Sequence, residues 1–331
     1  MSAATGTETR SWLPVGGWRS LFRDQPVIPL IGLLAVLVVV IEVVDPGIVG
    51  LSWAGVIMRA AVPLAILAGC QTLTMLTAGI DLSVGAIASM TGFVTATLLN
   101  SPGGIWQGIA VSLAAAALAG LVTGIGVGVF RVHPLIMTLG MSFVVLGLAN
   151  VWQLRMVQTG AGVPGGLRTL GSGLLWDIIP YSLVVFIPVT LLILIGLRRT
   201  GYGRLLYAIG DNPIAARLSG ARSWQVLIVL YVISALLAGI AGLILAGLTN
   251  TASVALANTS LLPSVAAAVI GGTSILGGRG GYGGTIVGAL ILTVLTALLT
   301  VIGLPEPTRQ IVFGAIIVVV AAAYTRVTST S

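Results

Sequence analysis

The chain has no lysine, one cysteine and one histidine, and only 7% of its 331 residues carry charge. Soluble domains carry about a quarter charged residues, and any compact chain must still show a surface to water. So little charge excludes a water-soluble fold. With 57% hydrophobic residues and a mean hydropathy of +1.14, the bilayer is the solvent. Cys70 alone excludes an intrachain disulfide, and its apolar surroundings read as those of a small buried thiol. With His133 the only histidine, neither a zinc site nor a haem ligand pair can be assembled. The fifteen basic residues are all arginine, against eight acids. A sequence pI near 10.5 would suggest nucleic acid in a soluble protein. Here most arginines fall between apolar runs, where they set membrane orientation, so no nucleic-acid partner is expected.

What is present is a series of apolar runs. A crossing helix needs about 20 mainly apolar residues. Ten candidates result: 27–44, 54–77, 83–99, 105–130, 134–157, 178–197, 225–248, 260–276, 285–303 and 310–324. The runs 83–99 and 260–276 are short and rich in small residues, so either could be a broken or re-entrant piece. Val27–Val44 is long for the apolar part of a secretory signal and lacks a small-x-small cleavage site, so it reads as an uncleaved first span. The expected fold class is all-α: a polytopic bundle of about ten transmembrane helices, its permease domain running over 27–324. With the N-terminus inside, eleven arginines are internal: Arg10, Arg19, Arg23, Arg131, Arg198, Arg199, Arg204, Arg217, Arg222, Arg279 and Arg326. Only Arg155, Arg168 and Arg309 are external, and Arg59 lies near the outer end of the second span, where it can snorkel. That bias makes the N-terminal segment 1–26, the long loop 198–224 and the tail 325–331 cytoplasmic. Gly120, Gly124 and Gly128 repeat at four-residue spacing, which lets another helix approach closely, and Gly239 and Gly242 offer the same.

Three segments break the apolar pattern. In the first, Gly79 to Gly85, Asp81 is the only acid between Asp45 and Asp177. A carboxylate at membrane depth is costly and marks either a transport path or, followed by a small-residue helix, an N-cap; Ser83 supports the same turn. The second lies in the long loop. Asn212 reads as an N-cap, Pro213 as the first helical residue, and Gly220 as the stop after Ala215, Ala216, Arg217, Leu218 and Ser219. A helix of two turns is marginal alone in water, so one so clearly specified docks on something; a helix resting on lipid would want a stronger apolar stripe. The third is the Gly-rich turn Gly271, Gly272, Thr273, Ser274, Gly277 and Gly278. It lacks the Lys-Ser/Thr of a phosphate loop and no strand precedes it, so it reads as a site of close backbone approach.

At these three places the sequence resembles the ribose-type family of ABC importer permeases. The family's Gly-Ile-Asp-Leu-Ser-Val-Gly stands unaltered at Gly79–Gly85, and its Gly-Arg-x-x-Tyr-Ala-x-Gly-x-Asn…Arg-Leu-Ser-Gly runs from Gly203 to Gly220. Its Val-x-Gly-Gly-Thr-Ser-x-x-Gly-Gly occupies Val269–Gly278. The resemblance covers about residues 27 to 324. It implies the larger-type ABC importer permease fold of about ten helices in a bacterial inner membrane. It also implies a second permease copy or a homologous permease, a cytoplasmic ATPase that binds ATP and magnesium, and an extracytoplasmic sugar-binding protein. The helix at Asn212–Gly220 would then couple to the ATPase. This chain itself would hold no cofactor and perform no hydrolysis. Two departures bear on the ligand and partner: Ile214 stands where many relatives carry an acid, and Leu261-Leu262-Pro263 replaces a Glu-Leu-Asp. Competing readings are a branched-chain amino acid or nucleoside permease of the same type, an ion-coupled secondary transporter, and an intramembrane enzyme. Only Asp81 offers an ion-coupling carboxylate, and scattered acids with one histidine build no catalytic site.

Overall fold

The computed structural model describes residues 27–98, 103–156 and 162–329. The expected N-terminal segment 1–26, the stretches 99–102 and 157–161 and residues 330–331 lie outside the described residues. The order is α1 (Val27–Val44), α2 (Leu51–Met75), α3 (Val84–Thr97), α4 (Gly104–Gly128), α5 (Pro134–Met156) and α6 (Gly165–Ser172). A two-stranded hairpin follows, β1 (Leu174–Leu175) and β2 (Ile179–Pro180), then α7 (Leu183–Arg199), α8 (Gly201–Asp211) and α9 (Pro213–Leu218). The rest is α10 (Ser223–Thr249), α11 (Asn258–Ile270), α12 (Tyr282–Val301) and α13 (Glu306–Ser329).

The all-α membrane architecture stands, and by length and composition fewer than the expected ten or so helices qualify as full spans. Among the described residues six helices are long and apolar enough to cross: α1, α2, α4, α5, α10 and α12. The α7–α8 pair, bent by 69°, adds a seventh if it is one broken span. Helices α3 and α11 have 14 and 13 residues, about 20 Å at 1.5 Å per residue, against about 30 Å of hydrocarbon. Their shortness has visible causes. Before α3 the chain turns through Ala78 at φ 59°, and after α11 it turns through Gly272 at φ 90°. The run expected from residue 178 begins as a helix only at Leu183, because the hairpin takes up the stretch before it.

Helix α10 is the hub, packed against α4, α3 and α2. The glycine spacing in α4 explains how close it comes. A Cβ at Gly120 would lie 2.5 Å from Tyr231 O, one at Gly124 2.6 Å from Ile228 Cα, and one at Gly128 2.8 Å from Trp224 O. Gly239 and Gly242 turn the same helix toward α3, Gly242 against the Ala88 carbonyl. Contacts this close let dispersion and polar contacts between helices replace the hydrophobic drive that lipid removes. A second layer of α2, α11 and α12 packs alongside. Arg59 meets its need within the protein: its guanidinium donates to the carbonyl of Ser172 at the end of α6, while its Nε is buried without a partner.

Candidate functional site

The three breaks, far apart in sequence, meet at one end of the bundle. The Gly278 amide donates to Leu76 O at 3.0 Å, joining the turn after α2 to the turn after α11. Gly210, in the last turn of α8, is wedged between them. A methyl there would fall onto Leu76 O and stand 2.6 Å from Gly278 N. A Cβ on Gly277 would be 2.8 Å from Gly210 O and 3.0 Å from Ala78 N. Backbone touches backbone from all three sides, which only glycine permits. Tyr207, one helical turn before Gly210, donates its hydroxyl to Gly280 O at 2.9 Å and pins α8 to the third break.

The Gly-rich turn is held from within. Ser274 N–H donates to Arg279 O at 2.9 Å, and Ser274 Oγ accepts from Leu276 N–H at 3.1 Å. Gly277 and Gly278 take φ values of 91° and 69°, where a side chain would be strained. Thr273 Oγ1 is buried without a partner. Gly271 packs on Gly284 and Thr285 at the start of α12, closing α11 onto α12.

Asp81 sits behind this junction, 1% exposed. Its Oδ1 accepts from Ser83 N at 3.0 Å and from Ser83 Oγ at 2.6 Å. Its Oδ2 accepts from Ser234 Oγ at 2.8 Å, on α10. The N-cap position of α3 is Ser83, which makes no side-chain capping bond. The carboxylate therefore holds the residue that starts α3 rather than the amides of its first turn, and it ties that start to the hub helix. Ser234 lies eleven residues into α10, roughly 16 Å along its axis, so the tie is made at membrane depth. Gln71 of α2 completes the cradle, donating from Nε2 to Asp81 O at 2.8 Å and accepting from Asp81 N at 3.3 Å. Tyr231, a turn before Ser234, keeps its hydroxyl buried and unpartnered.

Beyond the junction, α9 projects as a short, closed unit. Asn212 Oδ1 accepts from Ile214 N and Ala215 N, both at 3.0 Å, and Pro213 opens the helix. Ser219 is the C-cap and Gly220, at φ 85°, turns the chain toward α10. Ala216 is buried, whereas Ala215, Arg217 and Leu218 are exposed, Leu218 at 85%. Ile214, 62% exposed, stands one turn from Leu218, and together they leave an apolar face on α9 for another surface to cover. Among the described residues no cluster of three His, Cys, Asp or Glu side chains could hold a metal.

Gln71 and Ser234 also belong to this site and carry no motif in the sequence. Gln71 and Ser234 did leave a signal, as hydrogen-bonding side chains inside apolar runs. Tyr207 and Gly210 are fixed positions of the motif that begins at Gly203, but only the fold shows what they touch.

The chain matches, over residues 54–321, the family described as branched-chain amino acid transport system / permease component. It is 33% identical over 290 residues to the ribose import permease protein of Escherichia coli K12, covering 86% of this chain and 89% of that protein. It is 31% identical over 274 residues to the fructose import permease protein of Rhizobium meliloti, covering 80% and 76%. The autoinducer 2 import system permease protein of Yersinia pseudotuberculosis is 30% identical over 292 residues, covering 86% and 81%. No solved structure matches the chain.

Proposed function

Because the chain belongs to the branched-chain amino acid transport system permease family, we propose that it is the membrane subunit of an ATP-driven importer for a monosaccharide. The carrying observation is the set of sugar import permeases that match it along most of its length. The departure at Leu261-Leu262-Pro263 leaves the particular sugar open. The junction supports the coupling half of the reading. Helix α9 offers an exposed face outward and continues inward, through Gly210, to the breaks that begin α3 and end α11. A cytoplasmic ATPase holding ATP and magnesium would seat α9, a second permease copy or homologue would complete the path, and an extracytoplasmic binding protein would deliver the sugar. Counting the bent α7–α8 pair, the short α3 and α11, and α13 as passes, the chain crosses ten times in a bacterial inner membrane, with both termini inside.

Two experiments test this assignment. Asn212→Ala removes both capping bonds of α9, which costs about 1 kcal/mol. Co-purified ATPase and uptake per chain should fall by about fivefold, while membrane insertion is unchanged and Asn212→Asp restores both. Equal ATPase recovery in all three would remove α9 from the docking surface. For orientation, impermeant thiol labelling from outside should mark Ser172→Cys and spare Ser219→Cys in a Cys70→Ser background. The reverse pattern would invert the topology. The family description makes branched-chain amino acids the second reading. Uptake blocked by excess leucine but not by ribose or fructose would favour it.

A further inference from the structure

Behind α9 lies a groove of about 630 Å³ between the end of α4, α9 and the start of α10, and three arginines line it: Arg131, Arg217 and Arg222. No carboxylate lines it, and among the described residues the one ion pair joins Arg309 to Glu306 elsewhere. Three guanidiniums around one concavity repel one another and lower the cost of bringing in an anion. The N-terminal end of α10 opens onto the same space and adds its partial positive charge. Ser223 Oγ, on the groove wall, is buried and has no hydrogen-bond partner.

The position of the groove selects the kind of anion. It is bounded by the last residues of α4 and the first of α10, where Gly128 meets Trp224, so it lies where two spanning helices leave the hydrocarbon. Part of its wall is apolar and open to the outside: Trp224 is 47% exposed and Val129 49%. Arginines above exposed aromatic and aliphatic side chains, at the level of the interface, match a phosphate group with acyl chains beneath it. A free phosphate would use the arginines and leave the apolar wall unexplained. A protein partner would meet α9 on its exposed outer residues, whereas this groove opens behind α9 toward the membrane-spanning helices.

We propose that this groove binds the headgroup of an anionic phospholipid, held by Arg131, Arg217 and Arg222 with Ser223 as a further donor. A lipid seated there bridges the two spanning helices to α9, so the membrane's anionic content bears on the placement of α9. The proposal does not depend on which solute the chain carries.

The test is lipid retention by the full chain, purified in detergent and mixed with equal amounts of dioleoyl phosphatidylglycerol and dioleoyl phosphatidylcholine, read by native mass spectrometry. Phosphatidylglycerol should be retained preferentially. Arg131→Gln and Arg222→Gln should each weaken retention by about fivefold and the double variant by about 25-fold, from the typical worth of one basic residue near an anionic surface. Arg131→Lys should keep most of it, and Arg155→Gln, at the far end of α5, should change nothing. Melting temperatures identify any variant whose loss comes from unfolding, and Arg131→Lys then carries the comparison. Equal retention of the two lipids would overturn the proposal. So would displacement of phosphatidylglycerol by millimolar inorganic phosphate, which would make the ligand a free anion. Unchanged retention in Arg131→Gln and Arg222→Gln, with weakened ATPase recovery, would assign the groove to a protein contact instead.

Discussion

Replacing Gly210 with alanine should all but abolish uptake while leaving the chain in the membrane. The added methyl falls onto the Leu76 carbonyl and lies 2.6 Å from Gly278 N, and both neighbours are backbone, unable to rotate away. Overpacking of this kind typically costs about 1–3 kcal/mol, a factor of roughly 5–150 in how often the junction stays closed. The strain falls on the joint between α8 and the breaks that start α3 and end α11. Uptake should therefore drop by more than about tenfold, with ATP hydrolysis by the assembled complex persisting or rising. Gly283→Ala is the matched control: it stands near the same break, but a Cβ there meets nothing within 4 Å. Wild-type uptake by Gly210→Ala would show that the convergence of the three breaks is dispensable.

Asp81 should separate structure from transport through two substitutions. Asp81→Ala strands three buried donors, the Ser83 amide, the Ser83 hydroxyl and the Ser234 hydroxyl. A buried donor left unpaired costs about 1–3 kcal/mol, so a loss of about 3 kcal/mol or more, and little assembled protein, is expected. Asp81→Asn keeps the acceptor for Ser83 but turns an N–H toward Ser234, which must then accept rather than donate. That change costs about 1 kcal/mol and should leave yield near normal. If the negative charge serves the path, uptake per assembled complex falls several-fold in Asp81→Asn. Adding Ser234→Ala to Asp81→Asn should then cost less than the two changes summed, as expected for groups in direct contact. Wild-type uptake by Asp81→Asn would leave Asp81 a structural tie between α3 and α10.

Composition and hydropathy made the membrane class legible, since no arrangement of 57% hydrophobic residues suits water. The punctuation of α9 was equally plain: Asn212, Pro213 and Gly220 act locally, and local chemistry is visible in sequence. The length of α11 was harder to read. Apolar residues continue past the turn at Gly272, so the expected run 260–276 overshoots the end of α11 at Ile270, whereas α3 falls within the expected 83–99. The role of Asp81 was only half visible. A cap could be guessed from the small residues after it, but the bond to Ser234 crosses 153 positions of chain and leaves no local mark. For the same reason the meeting of Gly210, Leu76 and Gly278 could not be seen, because each glycine alone reads as an ordinary turn or packing residue.

The most direct test of the transport assignment is uptake by proteoliposomes carrying the chain with its ATPase and binding protein, all ion gradients collapsed by ionophores. The account predicts that labelled ribose or fructose accumulates only when ATP and magnesium reach the ATPase side. It also predicts that Gly210→Ala loses accumulation but not hydrolysis. Accumulation without ATP, driven by an imposed proton or sodium gradient and lost in Asp81→Asn, would contradict it and make the chain an ion-coupled carrier.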